Sequence, residues 1–331
     1  MMQGDSARSD QDPAAAVPDA QQIEGRRILC VTDLTPRSAE AERRAALLAK
    51  QMNAAVLFVH AIARVQAQRA RRKMFARAHM QLLSRADKTK VHTQQGARVS
   101  VRHGTPIQAI IEAAGEWQPD LIVMARPRRH TVDLVLGTTA ERVIRATHCP
   151  VLVVSGKADR SYRSLLLATD MSDVSVHVAR AAMSMGLLEQ AYTWIVHAFQ
   201  PSYHGLLGGC RGEETPHRQQ WKSALSSQLL QKMSAEGVDL TTVNVVVEQA
   251  RPLDAIQKCL QGTQPELLVI GTSRWFMLKR MLFGSVADQL LRRADCDVLA
   301  ISPPVRVARE RVGSVRPAAA AMAMTGRSAS A

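Results

Sequence analysis

The feature that most restricts how this chain folds is that it carries one plan twice. RILCVTDLTPRSAEAERRAALLAKQMNAAVLFVHA at 27–61 parallels RSLLLATDMSDVSVHVARAAMSMGLLEQAYTWIVHA at 163–198. Asp33 and His60 stand 27 residues apart, and so do Asp170 and His197. GTPIQAIIEAAGEWQPDLIVMA at 104–125 parallels ARPLDAIQKCLQGTQPELLVIG at 250–271, and GTTAERVIRATHCPVLVVS at 137–155 parallels GSVADQLLRRADCDVLAIS at 284–302. The offset grows from 137 in the first block to 146 and 147 in the later ones, so the second copy has nine additional residues between its second and third strands. Three blocks in register mean two homologous units, 25–157 and 158–304, with a linker near Lys157–Tyr162. A chain of 331 residues is long enough to give each its own core.

Within each copy, short apolar runs alternate with helical patterns. ILCV, VLFVH, VSV, LIVMA and VLVVS are continuous Val/Ile/Leu stretches of strand length, the pattern of strands covered on both faces. SAEAERRAALLAKQM and PIQAIIEAAGEW place apolar residues at i, i+3, i+4 and i+7. This alternation predicts right-handed βαβ units, and hence an α/β fold of two repeated, doubly wound, Rossmann-like parallel-sheet domains. Ligands in such sheets bind beyond the carboxyl ends of the strands, where the strand order reverses.

The net charge of +14 is unevenly placed. Residues 25–157 hold 23 basic and 9 acidic side chains, whereas 158–304 hold 14 of each. An acidic tail, 1–24, offsets a basic one, 305–331, and both have too few large apolar groups to order themselves. The first residues lack the basic and apolar regions of a signal peptide. No apolar run reaches the roughly 18–20 residues of a membrane span. The five cysteines (Cys30, Cys149, Cys210, Cys259 and Cys296) form no C-x-x-C pair. They are expected to be small buried hydrophobes in a reducing cytoplasm.

One stretch, VIGTSRWFMLKRMLFGSVADQLL at 269–291, turns from a buried strand into a helix through an unusual loop. Gly271 at the strand's end permits a close backbone approach or a positive φ. Gly284-Ser285 opens the helix with Ser285 as N-cap, and the amides of Ser285 and Val286 together with the helix dipole form an anion site. A plain helix start reads the pair equally well. Asp170, at the end of another strand, either accepts from a ligand's hydroxyls or amine or caps the helix that follows it. Trp275, Phe276, Met277, Leu278 and Phe283 read as packing beneath the loop or as a flap over a ligand.

This arrangement resembles the universal stress protein family, whose nucleotide-binding members carry G-x2-G-x9-G-(S/T) at this place. The match is Gly271, two residues, Arg274, nine residues and Gly284-Ser285, so the spacing is met with Arg in place of the second glycine. The likeness covers nearly all of 25–304, including TD after the first strand, VH ending the second, and the DLIVM and CPVLVV strands. The resemblance implies an adenine nucleotide alpha hydrolase-like fold and a ligand that is ATP, ADP or AMP, with Mg2+ accompanying it. It implies adenine and ribose contacts at Ala168, Thr169, Asp170, Ala198, Ile270 and Gly271, and phosphate contacts at Gly284, Ser285 and Val286. Arg274 either pairs with a phosphate or obstructs the path a glycine leaves open. The family implies a role in surviving stress. It also implies that VLVVS and VLAIS bring two domains together, in a homo-oligomer or as an internal pseudo-dimer.

The first copy departs further, with Ala125 and Arg128 at the two glycine positions and eight residues before Gly137-Thr138. Its charge gathers in RARRK at 69–73 and RPRRH at 126–130, both after strand ends. A positive rim there would attract an acidic protein or another polyanion, and RNA or DNA less well because stacking aromatics are scarce. A solvated helix face is the plainer reading. His60 and His197, at equivalent strand ends, are expected to brace the sites from beneath. GxxxxGK[ST], GxSxG, HExxH and GxGxxG are absent, so the expectation is a nucleotide-binding regulator and not an enzyme. An interaction scaffold with no ligand, docking an acidic partner through its basic half, is the alternative.

Overall fold

The computed structural model describes residues 25–63, 66–89, 96–126, 139–147, 149–189, 191–199, 216–235, 237, 240–272 and 285–302. Both tails, the stretch 127–138 and the loop 273–284 lie outside them. The first half runs β1 (Arg27–Val31), α1 (Pro36–Met52), β2 (Ala55–Ile62), α2 (Gln68–Lys88), β3 (Ala97–His103), α3 (Pro106–Trp117), β4 (Leu121–Ala125), α4 (Thr139–Ala146) and β5 (Val151–Val154). The second repeats it as β6 (Ser164–Thr169), α5 (Asp173–Ser184), β7 (Tyr192–Phe199), α6 (Pro216–Ala235), β8 (Val243–Gln249), α7 (Pro252–Thr263), β9 (Leu267–Gly271), α8 (Ser285–Arg293) and β10 (Asp297–Ile301).

Local chemistry sets the helix limits. α3 starts at a capping box: Thr105 Oγ1 accepts from the Gln108 amide at 3.3 Å, and Pro106 occupies the first turn. It ends at Gln118 in the left-handed region (φ 50°), as the equivalent α7 ends at Gln264 (φ 43°).

The ten strands form one sheet in the order β3-β2-β1-β4-β5-β10-β9-β6-β7-β8. Every neighbouring pair is parallel except β5 and β10, which run antiparallel with Val153 beside Val298 and Val151 beside Ala300. The fold is thus α/β as expected, and the last strands of the two halves join within the one chain. Apolar groups fill both faces of the sheet. Phe58, Leu82, Leu165 and Val178 lie on the side covered by α1, α2, α5 and α6, and Trp117, Ile144, Leu166 and Val298 on the other.

Polar groups seal the join. Asp297, 1% exposed, accepts from the Ser155 amide (2.8 Å), the Gly156 amide (2.9 Å) and the Tyr162 hydroxyl (2.6 Å). Arg44 lies 3.4 Å from the same carboxylate, sits 3.9 Å from the centre of the Tyr162 ring and donates to the Arg160 carbonyl at 2.7 Å. Burial, then the neighbouring Asp297 charge, push the Tyr162 hydroxyl well above its ordinary pKa. On the other face, Arg292 of α8 bridges Asp288 and the buried Glu141 of α4, each at 2.8 Å. Of the cysteines, Cys30, Cys259 and Cys296 are buried and Cys149 half-buried, as expected of small hydrophobes, and Cys210 lies outside the described residues.

Candidate functional site

The strand order reverses beside β1 and beside β6, because each of these has the next strand of its half on one side and the fourth on the other. In the second half Leu167 is level with Val269, which places Ala168 and Thr169 beside Ile270 and Gly271. Thr169 also pairs with His197, next to Ala198. Ala168, Thr169, Asp170, Ala198, Ile270 and Gly271 are therefore brought together at the carboxyl edge of three adjacent strands. Ser285 and Val286 open α8, the helix following β9, and their amides have no partner within it. Arg274 and Gly284 lie outside the described residues, as do Gly137, Thr138, Arg128 and the aromatic loop residues.

Two expectations need correction. α8 begins on Ser285 itself, which is therefore its first residue and not its cap. Gly271 does not have a positive φ. A Cβ there would meet Val178 Cγ2 at 3.1 Å and Val174 Cγ1 at 3.5 Å. Its missing side chain makes room for α5. The first half solves the same contact differently. Ala125 stands at the position of Gly271, and the residue equivalent to Val178 is the fully buried Ala41. The strand has gained one carbon where the helix has lost two, so the alanine at 125 reads as a packing exchange.

The most developed part of the site is the turn carrying Asp170. Its Oδ1 accepts from the Ser172 amide (3.0 Å), the Ser172 hydroxyl (2.5 Å) and the Ser175 hydroxyl (2.6 Å). One carboxylate oxygen thus organises the turn before α5, whose cap position is Ser172 and not Asp170. Oδ2 takes part in no hydrogen bond among the described residues. Burial works against the charged form, yet the bonds from Ser172 and Ser175 outweigh it, and the Asp170 pKa lies below its ordinary value. The group is a carboxylate at neutral pH with one oxygen committed and the other open to a donor.

Met171 holds a left-handed conformation (φ 61°), tied by its amide to Thr169 Oγ1 at 3.0 Å. Beneath the turn His197 Nδ1 lies 3.0 Å from the Thr169 carbonyl. A carbonyl only accepts, so Nδ1 carries the proton. The first half copies each bond: Asp33 Oδ1 accepts from Thr35 (amide 2.9 Å, hydroxyl 2.6 Å) and from Ser38, Leu34 has φ 61°, and His60 Nδ1 reaches the Thr32 carbonyl at 2.8 Å. Both histidines have the bracing role expected of them.

Sequence reasoning missed Ser175 and Lys232. Ser38 and Ser175 share the spacing TDxxxxS, a signal open to detection. Lys232 on α6 donates to the Met171 carbonyl at 2.8 Å and lies 3.6 Å from Asp173. Sixty-one residues separate it from Met171, and no local pattern announces it. Arg85 on α2 does the same work in the first half, donating to the carbonyls of Leu34 (2.6 Å) and Thr35 (3.1 Å). Among the described residues no group of three or more His, Cys, Asp and Glu side chains converges as metal ligands.

Of the two basic clusters, residues 69–73 form the first turns of α2, where Arg69, Arg72 and Lys73 are exposed. Arg126 instead reaches across the join to the Cys296 carbonyl at 3.0 Å, and 127–130 lie outside the described residues.

Comparison with known proteins matches the profile described as "Universal stress protein family" to residues 25–155 and again to 161–302. A universal stress protein of Methanocaldococcus jannaschii is 28% identical over 145 residues, spanning 43% of this chain and 84% of the relative. One from Thermus aquaticus is 28% identical over 143 residues, spanning 42% and 98%. The crystal structure of a universal stress protein from Archaeoglobus fulgidus DSM 4304 superposes with a TM-score of 0.61 at 18% identity, covering 85% of this chain and 99% of that one. That structural likeness concerns the fold.

Proposed function

The chain belongs to the universal stress protein family, with the family's domain present twice, and on that premise we propose that it is a regulatory protein of the stress response that binds ATP, ADP or AMP in its second half. The observation that carries this reading is the carboxylate of Asp170. It is ionised, held in place through one oxygen, and open at the other where the strand order reverses. A ribose offers two vicinal hydroxyl donors and adenine an exocyclic amine, and either suits an acceptor so placed. Phosphates would lie toward the first amides of α8, where the helix dipole favours negative charge. The protein's part is recognition: a fixed acceptor at one end and amide donors at the other, with no paired nucleophile and base at this edge among the described residues. We read it as a binding protein of the cytoplasm and not an enzyme.

Calorimetry with ATP on the full chain tests the reading. Asp170→Asn retains an acceptor for Ser172 and Ser175 but replaces the open acceptor with a donor. We expect saturable binding by the wild type and about tenfold weaker binding by the variant, on the order of one hydrogen bond to a charged group. No heat at millimolar ATP would sink the proposal.

A second reading is supported by α2, whose exposed Arg69, Arg72, Lys73 and Arg77 line one helix with no acidic side chain before Asp87. Such a face suits an acidic protein or other polyanion. An interaction that weakens steeply between about 50 and 200 mM salt supports it, and one insensitive to salt rejects it.

A further inference from the structure

We infer that Lys232 is a positioning residue of the proposed nucleotide site, holding in its left-handed form the turn that presents Asp170. The inference rests on the nucleotide reading above but is carried by a separate observation. Both halves place a cation from the second helix on the carbonyl of the left-handed residue, although neither the cation nor that residue is the same. Lys232 reaches Met171 in one, and Arg85 reaches Leu34 in the other. The two carbonyl-bearing residues share φ 61°, a conformation that non-glycine residues adopt only at a cost. Met171 precedes Ser172, the cap residue of α5, so its carbonyl lies outside that helix's hydrogen-bond ladder. A charged donor at 2.8 Å satisfies it.

The geometry separates this role from a simple surface ion pair. Lys232 also lies 3.6 Å from Asp173, but Asp173 is 74% exposed and a pair so solvated contributes little. Arg85 has a different carboxylate, Glu42, at 3.0 Å, and the residue equivalent to Glu42 in the second half is Ala179. The carbonyl contact is the part the two halves have in common. Without it the turn relaxes, and the Asp170 carboxylate, though still bonded to Ser172 and Ser175 through Oδ1, loses the orientation that presents Oδ2. The ammonium, half-exposed at the same edge, also adds positive potential where an anionic ligand would enter.

The test uses the full chain with three variants and two readouts: ATP affinity by calorimetry, and hydrogen exchange at the amides of 171–175 without ligand. Lys232→Met, which keeps the aliphatic stem, is expected to bind ATP about tenfold more weakly, or about 1.4 kcal/mol, with exchange in the turn accelerated by a similar factor and the thermal midpoint close to wild type. Lys232→Arg should restore both, because arginine does this work in the first half. Asp173→Asn should change neither by more than about twofold. Wild-type affinity and exchange in Lys232→Met overturn the inference, as does an Asp173→Asn effect equal to that of Lys232→Met. A wild type that binds no nucleotide defeats the functional reading alone. Turn exchange still decides whether Lys232 braces Asp170, and an unaccelerated turn in Lys232→Met overturns the bracing role by itself.

Discussion

The packing exchange between strand and helix predicts a coupled pair. In Gly271→Ala the new Cβ lies 3.1 Å from Val178 Cγ2, closer than packed carbons sit. Overpacking of this kind costs about 1–3 kcal/mol, offset by about 0.5–1 kcal/mol from a less flexible unfolded chain. The net expectation is a destabilisation of about 1 kcal/mol. Val178 is fully buried, so Val178→Ala should cost about 2 kcal/mol from two lost carbons and the cavity they leave. The double variant recreates the Ala125–Ala41 arrangement of the first half. It should cost about 1 kcal/mol less than the sum of the singles, because the new Cβ at 271 fills part of the space that the two carbons of Val178 vacate. Urea unfolding followed by tryptophan fluorescence measures all three. Additivity within about 0.3 kcal/mol would refute the exchange. So would loss of ATP binding by Gly271→Ala that Val178→Ala failed to restore, since the glycine would then serve the ligand and not the helix.

Three further outcomes follow from buried polar groups. Asp297→Ala leaves the Ser155, Gly156 and Tyr162 donors and the Arg44 cation without their acceptor, and should cost about 3–5 kcal/mol in denaturant unfolding. Asp33 and Asp170 both have pKa values held below the ordinary 3.8. Each therefore adds stability that is present above the unfolded value and lost as pH falls through the folded one. Acid unfolding at and below pH 3.8 should be shallower in Asp33→Asn/Asp170→Asn than in wild type. Burial holds the Tyr162 hydroxyl well above its ordinary value, so at pH 11 the folded wild type and Tyr162→Phe should show equal tyrosinate absorbance, and the wild type should exceed the variant by one tyrosinate only when both are unfolded.

Much of the fold is legible in the sequence because parallel strands buried on both faces leave continuous apolar runs, and because a repeat offers each element a second reading. The window 106–117 is a helix to the residue, bounded by a threonine cap and a left-handed glutamine. Asp170 and His197 were open to the same logic, since their spacing recurs at Asp33 and His60. What could not be read was whatever depends on partners distant in sequence. The reason for Gly271 lies on α5, nearly a hundred residues earlier. Lys232 is one cation among many until α6 is laid against the turn. Asp297 sits where the first copy has Pro150, so the repeat itself hid it as a mere departure from the pattern.

That departure also explains why the halves are unequal. A symmetric pair of identical chains would place the same groups on both sides of the β5–β10 join. Here one linker must be anchored once, and its residues Ser155, Gly156 and Tyr162 all donate to Asp297 of the second half. The first half contributes a second tie, for Arg126 at the exit of β4 extends to the Cys296 carbonyl. At the equivalent exit of β9 stands Thr272, 6% exposed, whose hydroxyl meets that of Ser302 at 2.9 Å. The first half thus commits a charged side chain beside its strand edge to holding the two units together. The second closes the same position with two neutral hydroxyls. Fusing the domains removes the need for two equal sites, and the asymmetry falls on the strand exits at the join while the turns of Asp33 and Asp170 stay alike.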